Sequence, residues 1–421
     1  MDDAVDVPGV DSRRLVDVIG LGVVTRLIHR DLVDEVLADT GRREKRARSL
    51  PARVVVYLVM ALCLFTADGY EEVVRKLTNG LMDLRVWRCG WQVPVPSAVS
   101  AARTRLGSEP MAALFERVCV PVAKPWTIGA FYGDLRVMAV DGTVLDIPDT
   151  PDNAATFGYY AAGTSRQSAF PQVRMLTLVE CGTHAAVAAV FDSVATSERA
   201  LTVRLARELT SQMILLADRG FYSYELFTTC ADTGAQLLWR ISDITNLPVK
   251  AYFPDGSFLA ELPPPRKKPG RADKTDRGIG FRPVHVRVIE YMVTNRKEMT
   301  ETIRLVTTIT DPAQAPADTL AALYQQRWEH EIAFDQTKPH LLHPTRVLRS
   351  RTPDLIKQEI WALLIVHYAA QVFITEAADD LGADPDRYSF TRTINVIRRQ
   401  VLNQAAFSPL NPEHRDQPDD H

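Results

Sequence analysis

The sequence predicts a mixed α/β fold, with a helical N-terminal domain, an α/β core broken by a β-rich insertion, and a helical C-terminal region. Three observations predict it. Apolar residues recur at spacings of three and four from residue 12 to about 130. Alternating and β-branched runs, interleaved with helical segments, then fill residues 131–241, the pattern of a sheet covered by helices. From 242 to 310 the helical period is lost and strand-like runs take over, until helical spacing returns at Pro316. The expected divisions are therefore 1–130, 131–241, 242–310 for the insertion, 311–350 for the rest of the core, and 351–421 for the helical end with a disordered acidic tail.

In the first segment the stretches RRLVDVIGLGVVTRLIHRDLVDEVL and PMAALFERVCV carry the helical period. The apolar run Val54 to Phe65 follows Arg53 and is too short to span a bilayer, so it reads as a buried helix. Ser97 is placed to cap SAVSAARTRLG and Gly107 to end it. Two basic groups, Arg42, Arg43, Lys45, Arg46 and Arg48, then Arg103 and Arg105, either solvate helix ends or touch phosphates. In the core, LRVMAVDGTVLDIPDT reads as two strands around Gly142, RMLTLVE and AAVAAVF as two more, and ERALTVRLARELTSQM as a helix. ILLADRGF is a buried strand ending in a charged turn, before the helix SYELFTTCADTG and the strand QLLWRI. The insertion offers the strands NLPVKAYFPDGSFLAEL, VHVRVIEYMV and IRLVTTIT around an exposed basic loop, whose Arg266–Arg277 stretch leans towards DNA contact.

A chain of 421 residues with 46% hydrophobic content can bury a large core, which excludes a disordered or fibrous protein. The net charge of −3 gives no overall basic field, so any contact with nucleic acid must use local patches. The five cysteines are scattered without a CxxC pair, arguing against a disulfide framework or zinc site and for a reducing compartment. With an acidic N-terminus and no spanning segment, the expected location is the cytoplasm, with no membrane partner.

Asp141 ends the apolar run VMAV and Asp218 ends ILLA, where buried strands would hand carboxylates to the edge of a sheet. Asp146, Asp149 and Asp152 follow Asp141 but sit among Pro148, Pro151 and Asn153, where turn capping explains them. Further on, LYQQRWEHEIAFDQTKP places Tyr324, Arg327, Glu331 and Lys338 within an arc of roughly 60° on a helix, with Trp328 and Asp335 flanking it. That face carries a carboxylate, two cations and aromatic rings, and Asp335 is a rival to Glu331 that spacing does not remove. His330 and His340 point elsewhere around the helix. Three hard oxygen donors, Asp141, Asp218 and Glu331, suit magnesium or manganese rather than zinc. Two such ions stabilise the attacking and leaving oxygens of a phosphoryl displacement, which is nuclease and strand-transfer chemistry.

The spacing Tyr324, Arg327, Glu331, Lys338 resembles the YREK signature of the insertion-sequence-4 family of DDE transposases. AVDGTVLDIPDTPDN, FGYY, AFPQVRMLTLVECGTH, LLADRGFYSYELF, DGSFLAEL, VRVIEY, LYQQRWEHE and VLRSRTPDLIKQEIWALLIVHYA resemble family segments in the same order. The resemblance implies a ribonuclease-H-like catalytic core with a β-rich insertion before the glutamate. It also implies Asp141, Asp218 and Glu331 as ligands of two Mg2+ ions, with Mn2+ able to substitute. Tyr324, Arg327 and Lys338 are then expected to grip the DNA backbone, and Trp328 to stack on a base or pack. The expected reaction is cut-and-paste transposition by nicking, hairpin formation, hairpin opening and strand transfer. The expected partners are double-stranded DNA, as terminal inverted repeats and target, and a second subunit of a homodimer.

Overall fold

The computed structural model describes residues 21–44, 46, 48, 50–82, 93–162, 166–262, 283–294, 300–325 and 347–402. The N-terminal part contains helices α1 (Arg30–Asp39), α2 (Ala52–Leu64), α3 (Tyr70–Met82), α4 (Pro96–Leu106) and α5 (Glu109–Val118). Every residue of α2 except Arg53 is buried, as expected of a helix that is apolar all round. Arg53 instead pairs with Asp34 of α1. Helix α4 departs from the capping expected of Ser97: Val95 is the N-cap residue and makes no side-chain cap bond, and Pro96 opens the first turn. Proline supplies the helical φ there without losing a needed donor, which places Ser97 inside the helix. Gly107 does end α4, at φ 73°.

The core follows. Its elements are β1 (Phe131–Tyr132), β2 (Leu135–Asp146), α6 (Pro151–Phe157), the short pair β3 (Ala161–Ala162) and β4 (Arg166–Gln167), β5 (Gln172–Glu180), β6 (Ala185–Ser193), α7 (Glu198–Leu205), β7 (Met213–Ala217), α8 (Tyr224–Ala231) and β8 (Gln236–Ile241). The insertion adds β9 (Val249–Tyr252), β10 (Phe258–Leu262), β11 (Val284–Thr294) and β12 (Thr300–Thr307). Helix α9 starts at 317 and is followed to 325, the last described residue before 347. Two further helices, α10 (Pro353–Asp380) and α11 (Phe390–Leu402), complete the described chain.

Apart from β3 and β4, which pair with each other, the described strands form one sheet in the order β6-β5-β2-β7-β8-β12-β11-β10-β9, with β1 beside β2. β7 runs parallel to both β2 and β8, whereas the remaining neighbours along this path are antiparallel. Because β12 pairs with β8, the insertion continues the core sheet. The basic stretch Arg266–Arg277 lies outside the described residues.

One strand expectation is corrected. Gly142 does not divide two strands; β2 runs unbroken, its register with β5 continuing from Met138 opposite Glu180 to Asp146 opposite Gln172. Glycine weakens a strand interior but permits close approach of other groups. Here Glu198 Oε1 lies 3.3 Å from where a Cβ on residue 142 would sit.

The pleat sends alternate residues to opposite faces. Met138, Val140, Leu215, Ala217 and Trp239 pack with Leu201 and Leu205 of α7 and with Leu226 and Phe227 of α8. Val137, Ala139, Ile214, Leu216 and Leu238 pack with Leu320, Leu323 and Tyr324 of α9. The helices at the two ends of the chain meet in a third cluster, where α2 and α10 lie together and Leu145, Val173 and Met175 of the sheet join them. α10 is long and apolar enough to cross a membrane, and 78% of its most apolar window is buried inside the protein, the circumstance of a core helix. The four described cysteines, Cys63, Cys119, Cys181 and Cys230, are buried, and no disulfide joins them.

Candidate active site at the open end of the parallel strands

The register between β2 and β7 brings the two sequence-predicted aspartates together. Arg136 pairs with Met213, Val137 with Ile214, Met138 with Leu215 and Ala139 with Leu216. Extended two positions beyond the last pair, this register leads to Asp141 of β2 and to Asp218, the residue that follows β7. Asp141 therefore lies within β2, because β5 keeps pairing with β2 as far as Asp146. On the β7 side, however, the pairing with β2 extends only to Leu216, and β7 itself ends at Ala217. Asp141 is thus at a sheet edge created by the shorter parallel neighbour. Asp218 begins the turn that leads to α8, with Phe221 N–H donating to its carbonyl at 3.0 Å. Both aspartates are half-buried. By the alternation of the pleat Asp141 shares the face of Val137 and Ala139, the face that α9 covers.

Tyr324 fixes α9 beside this point. Its ring is fully buried, and its hydroxyl donates to the carbonyl oxygen of Ala217 at 3.3 Å, one residue before Asp218. It therefore stands in the wall of the site, with no exposed surface in this chain to meet a phosphate. Arg327, Trp328, Glu331 and Lys338 lie outside the described residues, as do Asp335, His330 and His340. The chain is anchored again where it next becomes described: Val347 bridges Asp146 at the end of β2, and Leu348 N–H donates to the Asp146 carbonyl at 3.0 Å.

Two of the rival aspartates have side-chain partners. Asp146 accepts from Gln172 Nε2 at 2.8 Å, and Asp149 accepts from the Tyr159 hydroxyl at 2.6 Å. That bond raises the Tyr159 pKa. Thr150, not an aspartate, caps α6 by accepting from Asn153 N–H. Of the basic groups, Arg103 departs from both readings of its cluster. It is fully buried, donating to Gln358 Oε1 at 2.8 Å, the Tyr70 hydroxyl at 2.8 Å and Ser350 Oγ at 2.9 Å. Its place on the buried side of α4, facing α10, makes it a packing residue. Arg42 pairs with Glu109 and Arg48 with Glu44 at the surface.

Half-buried carboxylates at the end of a sheet are the kind of oxygen donor that hard divalent cations take. Among the described residues no three His, Cys, Asp or Glu side chains converge to hold one. Sequence reasoning passed over two polar residues of this region, Asp255 and Arg287, because Pro-Asp-Gly-Ser reads only as a turn and an arginine in a strand only as an edge charge.

Comparison with known proteins gives the family of the chain. The family profile described as "Transposase DDE domain" matches residues 132–368, and that described as "Insertion element 4 transposase N-terminal" matches residues 18–116. The chain belongs to the DDE transposases, enzymes that cleave DNA to move a genetic element. Within them it falls in the insertion-sequence-4 family. It is 28% identical over 389 residues to "Transposase InsG for insertion sequence element IS4" of Escherichia coli strain K12, covering 90% of this chain and 82% of that protein. InsZ of the same organism is 27% identical over 202 residues, covering 48% of this chain and 64% of InsZ. A solved piggyBac transposase synaptic complex with hairpin DNA aligns with TM-score 0.47 at 12% identity, over 93% of this chain and 82% of that one.

Proposed function

We propose that this chain binds the terminal inverted repeats of its own insertion sequence and moves the element by cutting and pasting. In this reading the core is ribonuclease-H-like, and Asp141, Asp218 and Glu331 hold two Mg2+ ions, replaceable by Mn2+. The observation that carries it is the β2–β7 register, which, extended two positions beyond its last pair, leads to Asp141 and Asp218. The anchoring of the chain on both sides of Glu331 supports the third ligand: Tyr324 rests on Ala217 and Val347 on Asp146.

Bound magnesium would supply positive charge to the attacking and leaving oxygens of the phosphodiester. The chain supplies position. Asp141 is on β2 and Asp218 directly follows the adjacent strand β7, and α9 packs on the same sheet. Water first breaks a P–O bond at the element's end and leaves a 3′-hydroxyl. That hydroxyl attacks the opposite strand to form a hairpin, a second water opens the hairpin, and the freed 3′-hydroxyl joins target DNA. Arg327 and Lys338 hold the backbone and Trp328 a base, within a homodimer whose subunits each bind one repeat and cut the other. The work takes place in the cytoplasm.

Purified protein incubated with both DNA ends flanking the gene and with Mg2+, beside a Glu331→Gln control, tests this on a denaturing gel. Hairpin and joined products that the control lacks are expected. Nicking without joining would reduce the reading to a nuclease, and binding without cutting would reduce it to a silent DNA-binding protein.

A further inference from the structure

The turn between β9 and β10 reaches across the sheet to the start of α9. Residues Phe253–Ser257 form it, closed by Phe253 N–H donating to the Ser257 carbonyl at 2.9 Å. Gly256 takes the left-handed conformation, φ 81°, that the turn requires. The turn holds Asp255 against Arg287 of β11, whose guanidinium is fully buried, with Nη2 2.5 Å from Asp255 Oδ2. Arg287 Nε also donates to Ser257 Oγ at 2.7 Å, and Ser257 Oγ in turn donates to Asp255 Oδ1 at 2.6 Å.

Two bonds leave this cluster for α9. Arg287 Nη1 donates to the carbonyl of Ala315, and Asp255 Oδ2 accepts from the backbone N–H of Ala317, the first helical residue, at 3.1 Å. The carboxylate of the insertion thus does for α9 what a local N-cap side chain does elsewhere, satisfying an orphan donor and placing negative charge at the positive end of the helix dipole. The donors around it hold the Asp255 carboxyl below its ordinary pKa; burial opposes them, while Ser257, Arg287 and Ala317 favour the charged form. At its far described end the same helix carries Tyr324, bonded to Ala217 beside Asp218.

We infer that the β-rich insertion positions the active site through Asp255 and Arg287, which clamp the start of α9, the helix that carries Tyr324 and precedes Glu331 in the sequence. This rests on the reading of Glu331 as a catalytic ligand. Asp255 and Arg287 touch no substrate in this account and act through α9. The clamp also explains why a β-rich segment precedes the glutamate: its turn supplies a cap that the sequence Asp311–Pro316 does not.

The test uses the full-length chain with Asp255→Ala and Asp255→Asn. Asp255 is the target because its carboxylate makes the bond to α9; as Asp255→Ala also leaves the buried Arg287 without its carboxylate, circular dichroism first establishes that the variant is folded. Asparagine keeps an oxygen for the Ala317 N–H, and alanine keeps none. Single-turnover cleavage of end DNA by Asp255→Ala is expected to slow at least tenfold, with DNA affinity within twofold of the wild type. Asp255→Asn should recover part of the rate. Amide hydrogen exchange over 317–325 should quicken in the alanine variant and less in the asparagine variant, in DNA-free protein. Wild-type cleavage by a folded Asp255→Ala, or equal loss of rate and affinity, would overturn the inference. If Glu331→Gln still cleaves, the catalytic reading has failed instead. If Glu331→Gln is inactive while Asp255→Ala cleaves normally, only the clamp has failed.

Discussion

The two ends of β2 hold carboxylates in opposite circumstances. Near its start, Glu180 of the paired strand β5 is fully buried and surrounded by donors: Val122 N–H at 3.0 Å, Ala123 N–H at 2.9 Å, Thr183 Oγ1 at 2.7 Å and the guanidinium of Arg136. Towards its other end, Asp141 and Asp218 are half-exposed at an edge left where β7 stops short. Both are carboxylates on one sheet. The closed end spends its charge on fold stability, and the open end keeps its charge where a cation and a phosphodiester can reach it.

The largest expected effect breaks the open end alone. Asp218→Asn should reduce cleavage at least a thousandfold, measured as single-turnover strand nicking, while the thermal midpoint and DNA affinity stay near wild type. A half-exposed isosteric change has little packing to lose. If the variant unfolded instead, Asp218 would belong with Glu180 as a structural carboxylate.

The closed end should answer in the other way. Glu180→Ala removes the buried partner of the part-exposed Arg136 and strands three neutral donors, a change that costs about 1–3 kcal/mol for each donor left buried and unsatisfied. Chemical denaturation should show that loss, and the fraction that remains folded should cleave DNA at the wild-type rate. A catalytic defect in folded Glu180→Ala would erase the contrast between the two ends.

A smaller effect at the closed end depends on pH. His367 of α10 is fully buried, and burial, aided by the neighbouring His184, pushes its pKa down to about 3. The folded state keeps this ring neutral, while the unfolded chain takes up a proton as pH falls below about 6.5. Acid therefore favours the unfolded state, by about 1.4 kcal/mol per pH unit below that value. The contribution is whole above pH 6.5 and declines between 6.5 and 3. Replacement by a group that does not titrate, His367→Gln, should flatten the dependence of the thermal midpoint between pH 6.5 and 4.5. Below that window Asp192 and Asp255, whose pKa values are lowered in the fold, add their own losses.

The sequence shows the open end more clearly than the closed one, for physical reasons. Asp141 and Asp218 end apolar runs, and an apolar run that stops at a carboxylate is a local signal. Their sharing one register is not local, since it depends on the parallel pairing between strands more than seventy residues apart. The strand through Gly142 was hidden for the same reason: β5 pairs with each residue across it, which a breaker residue cannot announce. Arg103 looked like a surface cation because its partners, Gln358 and Ser350, come from the other end of the chain. Ser97 lost its capping place to Val95, two residues earlier, because Pro96 opens the helix, a shift that pattern reading does not settle. The strands of the insertion followed from β-branched composition, whereas the reach of Asp255 to Ala317 is a contact over 62 residues.

The most direct test of the central claim, that Asp141 and Asp218 share a bound divalent cation, locates the ion without using DNA. Fe2+ would be loaded in place of Mg2+, and ascorbate and peroxide added so that hydroxyl radicals cut the polypeptide where the ion sits. The account predicts fragments ending near residues 141 and 218 together, suppressed by excess Mg2+ and lost in Asp141→Asn and in Asp218→Asn. Fragments at other positions, or cutting that persists in both variants, would contradict it.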